Sequence, residues 1–253
     1  MKNAAPKSTK ILLHACCGPC SLEPVRLLME QGYDPVIFYS NDNIGPADEY
    51  AKRLDTIQSW TEEVGIDLIE APYESDLWLS EVADKFEASK KTPADRLERC
   101  RTCYRLRFGK TAKAAQKLGI ETIGTTLSVS PYQYTAVIGQ ELESQAQASG
   151  LKAHFEDYRP FYPAATKRSI ELKMYRQNYC GCLFSREEAE QERQERKLKR
   201  QAEKAAKQKL RQEDEAALEK KRQERQAYEN RRRQQKEILR SLRASRQIDS
   251  NPQ

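Results

Sequence analysis

The chain has 253 residues, with 44 Lys and Arg against 38 Asp and Glu for a net charge of +6, enough for one good-sized domain and an appendage. No apolar run approaches the ~20 residues of a membrane span, and the opening MKNAAPKSTK lacks the apolar core of a secretory signal, so a cytoplasmic protein is expected. Residues 186–253 hold 21 Lys and Arg against 14 Asp and Glu, an excess of +7, so residues 1–185 are near neutral and the basicity belongs to the tail.

In chain order, KILLHA (10–15) reads as a buried strand that runs into the cysteine loop HACCGPCS. SLEPVRLLMEQGY (21–33) has helical spacing, with Leu22, Val25, Leu28 and Met29 on one face and Gly32 as a stop. DPVIFYSND (34–42) is a second buried strand, residues 46–65 a long helix and IDLIEA (66–71) a third strand. A more helical insert follows over 74–118, carrying ERCRTCYRLR. IETIGTTLSVSP (120–131) reads as a fourth strand, 132–149 as a helix, LKAHFEDY (151–158) as an edge strand, and SIELKMYRQNYCGC (169–182) as a helix ending at Cys-Gly-Cys. Strands alternating with helices predict an α/β fold with a parallel sheet covered on both faces. In such sheets sites gather at the carboxyl ends of strands, and His14–Cys20, Ser40–Gly45 and Thr125–Pro131 all follow strands. The domain plan is an α/β catalytic domain over 1–185 and a charged helical tail over 186–253. The tail contains one aromatic, Tyr228, and its Leu residues at 198, 210, 218, 239 and 242 form no heptad. It reads either as a solvated helix or as an arm for nucleic acid, the run NRRRQQKEILRSLRASR favouring the second.

The seven cysteines fall in tight groups, as metal ligands or catalytic thiols do in a reducing compartment. Cys17-Gly18-Pro19-Cys20 has a thioredoxin-like string at a helix start. Yet Cys16 beside it would scramble a resolving pair, and thioredoxin leaves the other cysteines unexplained. Cys17/Cys20 with Cys100/Cys103 has the form of a four-thiolate zinc site, although the pairs are far apart in the chain. An iron–sulfur cluster takes one thiolate per iron over a wider span. Cys16 and Cys17 on one loop, with Cys100 and Cys103 from the insert, supply four. Cys180-Gly181-Cys182 reads as a redox relay, a second metal site or a buried helix end. His14 reads as a core residue. Asp42 is a metal ligand, a proton donor or a turn cap. Thr125, Thr126, Ser128 and Ser130 either cap the next helix or hold a phosphate or sugar. Arg101, Arg105 and Arg107 balance an anionic cluster, grip RNA or line a solvated helix.

Taken together, LLHACCGPCS (12–21), RCRTCYRLR (99–107), TTLSVSPYQ (125–133) and YRQNYCGCLFS (175–185) resemble the QueH-type epoxyqueuosine reductases over most of residues 10–185. The resemblance implies an adenine-nucleotide alpha-hydrolase-like (HUP, PP-loop-like) fold and a [4Fe–4S] cluster near a second, mononuclear iron. It also implies reduction of the epoxide of epoxyqueuosine at the wobble position of tRNA, with an unidentified electron donor. Carried over by motif, Cys16, Cys17, Cys100 and Cys103 resemble the cluster ligands, Cys20 belongs to the block and is a candidate for the second metal, and Cys180 and Cys182 resemble a redox-active disulfide pair. Asp42 is then a candidate proton donor, and Arg105, Arg107, Tyr104 and Tyr132, with Tyr134 and Tyr179, are candidates for meeting the tRNA. Two other classes stand beside this: a zinc-stabilised RNA-binding protein, and a tRNA sulfur transferase. Against the latter, HACCGPCS lacks the Ser-Gly-Gly-type loop that cradles phosphate.

Overall fold

The computed structural model describes residues 9–87 and 92–248, with side chains described as far as Arg240. The opening residues 1–8, a short part of the expected insert (88–91) and the last five residues lie outside that description. The chain divides into two compact units, Met1–Ala189 and Glu190–Gln253.

The first unit is built on a five-stranded sheet in the order β3-β2-β1-β4-β5, every neighbouring pair parallel. Strand β1 (Thr9–His14) is central, because Ile11, Leu12, Leu13 and His14 are buried on both faces. Leu12 pairs with Val36 of β2 (Tyr33–Tyr39) on one side and with Ile123 of β4 (Thr122–Thr125) on the other. The outer strands are short: β3 (Leu68–Glu70) and β5 (Lys152–His154).

Alternation along β1 divides the core between two layers. Ile11, Leu13 and Ala15 pack with Leu22, Val25 and Leu28 of α1 (Gly18–Glu30) and with Ile57 and Trp60 of α2 (Ala47–Val64). Leu12 faces the other layer, with Tyr104, Phe108 and Ala112 of α5 (Pro93–Leu118) and Ile138 and Leu142 of α6 (Thr135–Ala148). The expected parallel, doubly covered sheet is therefore present. Its strand order reverses beside β1, between β1 and β4, which is the switch point where such sheets open a crevice.

The insert is helical as expected but broken. α3 (Ser75–Trp78), a π-helical turn (Leu79–Ala83) and α4 (Asp84–Glu87) precede α5. Helix α5 starts at a capping box in which Thr92 accepts from the Asp95 N–H, with Pro93 opening the first turn, and it stops at Gly119 at φ +66°. A 3₁₀ turn (Leu127–Val129) shortens the fourth strand relative to expectation.

The expected helix over 169–182 is corrected. Helix α7 (Tyr162–Glu171) begins seven residues earlier and ends before Leu172. The Leu172 N–H bonds Arg168 O, Lys173 turns to φ 53°, and the Met174 N–H returns to Ser169 O at 3.0 Å. That wrap satisfies the last carbonyls and stops the helix. The Cys-Gly-Cys therefore precedes a helix instead of ending one: α8 runs from Leu183 to Ile248. It closes the first unit and continues as the whole described part of the second, where its side chains are almost all exposed. No helix among the described residues is long and apolar enough to cross a membrane.

Candidate metal centre

The loop after β1 carries Cys16 and Cys17, and the first turn of α1 carries Cys20. Cys17 is the extended N-cap residue, and Pro19 fits the first turn because its missing N–H has no helical partner to lose. This geometry folds three thiols onto one helix N-terminus, at the switch point of the sheet. The Sγ atoms of Cys16, Cys17 and Cys20 all lie within 4.8 Å of one another, and Cys16 and Cys17 are 3.7 Å apart. That separation matches the ~3.8 Å edge of a tetrahedron with ~2.3 Å metal–sulfur bonds.

Cys100, Cys103 and Arg107 sit at i, i+3 and i+7 of α5, on one stripe of the helix. Cys100 packs against the core that contains Cys16 and Cys17. Cys103 packs with Cys182, Trp78 and Phe184. Among the described residues, Cys100 and Cys103 do not join the tight triad. All seven cysteines carry free thiols.

Donors are aimed at the sulfurs. The Gln177 amide reaches Cys17 Sγ at 2.8 Å, and the Trp78 indole N–H reaches Cys103 Sγ at 3.3 Å. Hydrogen bonding with Cys17 and burial push the Cys16 thiol up to about 12. For Cys17, burial pushes upward, but hydrogen bonds from Cys16, Cys20 and Gln177 outweigh it and hold this thiol well below its ordinary value. Cys20 is raised by its bonds to the other two. Within the triad, Cys17 is thus the thiol whose ionisation its neighbours favour. Burial raises Cys100 and Cys103. It also lifts Cys182 to about 12, with Cys180 adding to the effect. Buried thiols with these shifts ionise when a cation holds the sulfurs. Soft sulfur ligands, most of them buried, and N–H donors onto sulfur together fit a thiolate-held metal or iron–sulfur centre.

The Cys-Gly-Cys loop is clamped beside them. Arg53 donates to Cys180 O at 2.8 Å and Tyr179 O at 3.3 Å, and pairs with Glu49 at 2.7 Å. The Gly45 N–H bonds Gly181 O at 3.0 Å, and the Gly181 N–H donates to Ser185 Oγ at 3.1 Å.

The remaining candidates fall in different places. Asp42 is buried, with its oxygens engaged by the Glu74 N–H at 2.8 Å and by Lys110. Its geometry is that of a cap and an ion pair. Arg107 and Tyr104 are each only 1% exposed, so neither presents a surface to RNA, contrary to that expectation. They turn inward because their stripe of α5 faces the sheet. Arg105 is half-exposed and bonds Glu141 at 3.0 Å. Tyr132 is exposed, its ring edge toward Tyr162. Thr125 Oγ1 meets His14 Nδ1 at 3.1 Å, and Ser128 Oγ donates to Glu156 O. Gln177, Trp78, Asn41 and Arg53 were not singled out by the sequence reading. Gln177 stands inside the YRQNYCGC block and Asn41 directly after β2, which were the available signals.

A family model described as epoxyqueuosine reductase QueH matches residues 11–188. An epoxyqueuosine reductase QueH of Dehalococcoides mccartyi is 32% identical over 176 residues, covering 70% of this chain and 92% of that protein. Its counterpart in Staphylococcus aureus is 31% identical, covering 70% and 75%. The Thermotoga maritima protein is 30% identical, covering 69% and 89%. The match takes in the cysteine loop after β1, the cysteine stripe of α5 and the clamped Cys-Gly-Cys, and this chain belongs to the epoxyqueuosine reductase QueH family.

Proposed function

We propose that this chain reduces the epoxide of epoxyqueuosine in tRNA to the alkene of queuosine. The observation that carries the reading is the buried thiol triad at the sheet's switch point, with N–H donors trained on its sulfurs, inside the segment that matches the family. In this reading Cys16, Cys17, Cys100 and Cys103 hold a [4Fe–4S] cluster, Cys20 borders a second iron, and Cys180 and Cys182 form a redox pair.

Epoxide to alkene takes two electrons and two protons and releases the oxygen as water. When bound, the iron–sulfur centre supplies single electrons at low potential and the second iron a Lewis acid. The electrons come from an external, unidentified donor. The chain's own residues do the rest. Gln177 and Trp78 fix the sulfurs of Cys17 and Cys103. Arg53 holds the Cys180 and Tyr179 carbonyls so that the redox pair keeps its place. Since the bases in a stacked anticodon are out of reach, the modified nucleotide is extruded to meet the centre, with exposed Tyr132 a stacking face near the strand ends. The +7 excess of residues 186–253 offers the phosphate backbone a sequence-independent contact. A tRNA substrate and a thiol-rich centre both favour a reducing cytoplasm.

The test is anaerobic purification followed by iron, acid-labile sulfide and zinc analysis, and then incubation with epoxyqueuosine tRNA and a strong one-electron reductant. About four sulfides per chain and conversion to queuosine are expected. Zinc alone, with no sulfide after reconstitution and no conversion, supports instead a zinc-stabilised RNA-binding protein, a reading that the 3.7 Å Cys16–Cys17 spacing favours because it is the edge of a single-metal tetrahedron.

A further inference from the structure

Helix α5 carries five arginines, at 96, 99, 101, 105 and 107. Four of them meet carboxylates. Arg96 and Arg99 pair with Glu188, and Arg101 and Arg105 pair with Glu141, each at 3.0 Å. Lys110, one turn further, pairs with Asp42 and Glu74. Arg107 is the most deeply buried of the set, and among the described residues no carboxylate bridges to it. Its Nε donates to His14 Nε2 at 3.2 Å and its Nη2 donates to Asn41 Oδ1 at 2.5 Å. Both acceptors are neutral. The other buried arginine of the crevice, Arg53, differs in having Glu49 as its counter-charge.

A buried guanidinium with only neutral partners is among the costliest groups a fold can hold. The groups left to balance it are sulfurs. Cys103 lies one turn before it on the same helix face, and His14, which accepts from it, ends β1 two residues before Cys16. The mount is built from three elements. His14 at the end of β1 places Nε2 3.2 Å from Arg107 Nε and 3.3 Å from Ser40 O, and Nδ1 3.1 Å from Thr125 Oγ1; because a guanidinium only donates, Nε2 accepts from it and the ring proton belongs on Nδ1. Asn41, after β2, is itself fixed by donating Nδ2 to Ala15 O, the carbonyl that opens the cysteine loop, at 2.9 Å. Two acceptors set at an angle match the planar fork of arginine, and a lysine at this place would keep the positive charge with fewer donors.

We propose that Arg107 is a positioning residue for the sulfur centre: its fixed counter-ion, mounted on His14 and Asn41 so that the fold itself sets the charge balance and reduction potential of that centre. This rests on the reading that the cysteines hold an anionic iron–sulfur centre. A permanent cation beside such a centre stabilises its more reduced, more negative state.

The experiment compares anaerobically reconstituted full-length wild type with R107Q, R107K and R101Q. It measures iron and sulfide per chain, and the midpoint potential of the bound centre by a spectroscopically monitored redox titration. R107Q is expected to shift the midpoint to more negative potential, R107K to stay close to wild type, and R101Q, which removes an ion-paired charge from the same helix, to leave it unchanged. A wild-type midpoint in R107Q at wild-type iron content overturns the proposal. So does an equal shift in R101Q, or equal loss of the centre from R107Q and R107K, which points to packing alone. Loss of the centre from R107Q with R107K intact supports it. Should wild type itself take up neither iron nor sulfide, the metal-centre reading fails. The counter-ion proposal, which rests on it, then falls with it, whereas iron and sulfide uptake by wild type without a shift in R107Q overturns the counter-ion proposal alone.

Discussion

Gln177 reaches Cys17 across 160 residues of chain, and its Nε2 is the closest donor to any of the sulfurs. A hydrogen bond onto a ligand sulfur orients that ligand and disperses its charge. Losing such an outer partner typically weakens metal binding by ~10–100-fold. Q177A should therefore keep the fold and lose metal affinity by about that factor, measured by competition with a chromophoric chelator using zinc as the probe. The cysteines themselves were legible because clustered thiols in a reducing compartment have few other uses. Their partners were not, since Gln177, Trp78 and Asn41 become ligand-orienting residues only through contacts between distant segments. Arg107 shows the same limit from the other side: in the sequence it stands among surface-like arginines, and folding turns it inward. A second single-residue prediction concerns pH. His154 is partly buried beside Tyr33, and burial lowers its pKa. In the unfolded chain it titrates near ~6.5. Below that pH the unfolded state takes up a proton that the fold resists, so stability falls as pH drops from the unfolded value toward the lower folded one. Above pH ~6.5 it contributes no slope. H154Q should flatten this acid limb, seen as a smaller loss of urea stability between about pH 7.5 and about pH 5.5 than in wild type.

At the scale of elements, the continuous apolar runs of β1 and β2 made the central strands readable, and alternation with helices gave the parallel sheet. The ends of elements were harder. SIELKMYRQN keeps helical spacing through Leu172 and Met174, and nothing local announces that Lys173 turns to positive φ and ends α7. That misreading hid the purpose of Gly181. The Cys180-Gly181-Cys182 turn lies against the loop after β2, and Gly181 sits at φ +122°. A Cβ there would stand 2.8 Å from Ile44 Cγ1 and 3.0 Å from Arg53 Nη1. Backbone strain and overlap act together, because Arg53 is pinned by Glu49 and by the Cys180 carbonyl. G181A should therefore cost about 1–3 kcal/mol, seen as a lower urea midpoint with an unchanged slope. It should also loosen the clamp, raising the alkylation rate of Cys182, which is buried in the wild-type fold.

At the scale of the molecule, the family match stops at residue 188 and the first compact unit closes at Ala189. The catalytic machinery and the basic excess are thus separable along the chain. Glu188 belongs with the first part, since it pairs with Arg96 and Arg99 of α5, so a cut after Ala189 preserves those ion pairs, whereas one after Ser185 breaks them. The remainder is an exposed helix of alternating sign whose basic residues concentrate toward its end, in the run Arg231, Arg232, Arg233, Lys236 and Arg240. Contacts between such a helix and phosphates act through counterion release. Each phosphate neutralised adds ~0.9 to the slope of log affinity against log salt on a duplex, and ~0.7 on a single strand. Truncation after Ala189 should leave metal uptake unchanged. It should weaken tRNA binding most at about 50 mM salt, with the two chains converging toward about 200 mM as the extra slope is lost. Fluorescence anisotropy with labelled tRNA over that range measures it. Equal affinity and equal slope for the two chains would mean that α8 beyond Ala189 is a solvated helix with no part in holding RNA, and that the crevice of the first unit binds its nucleotide unaided.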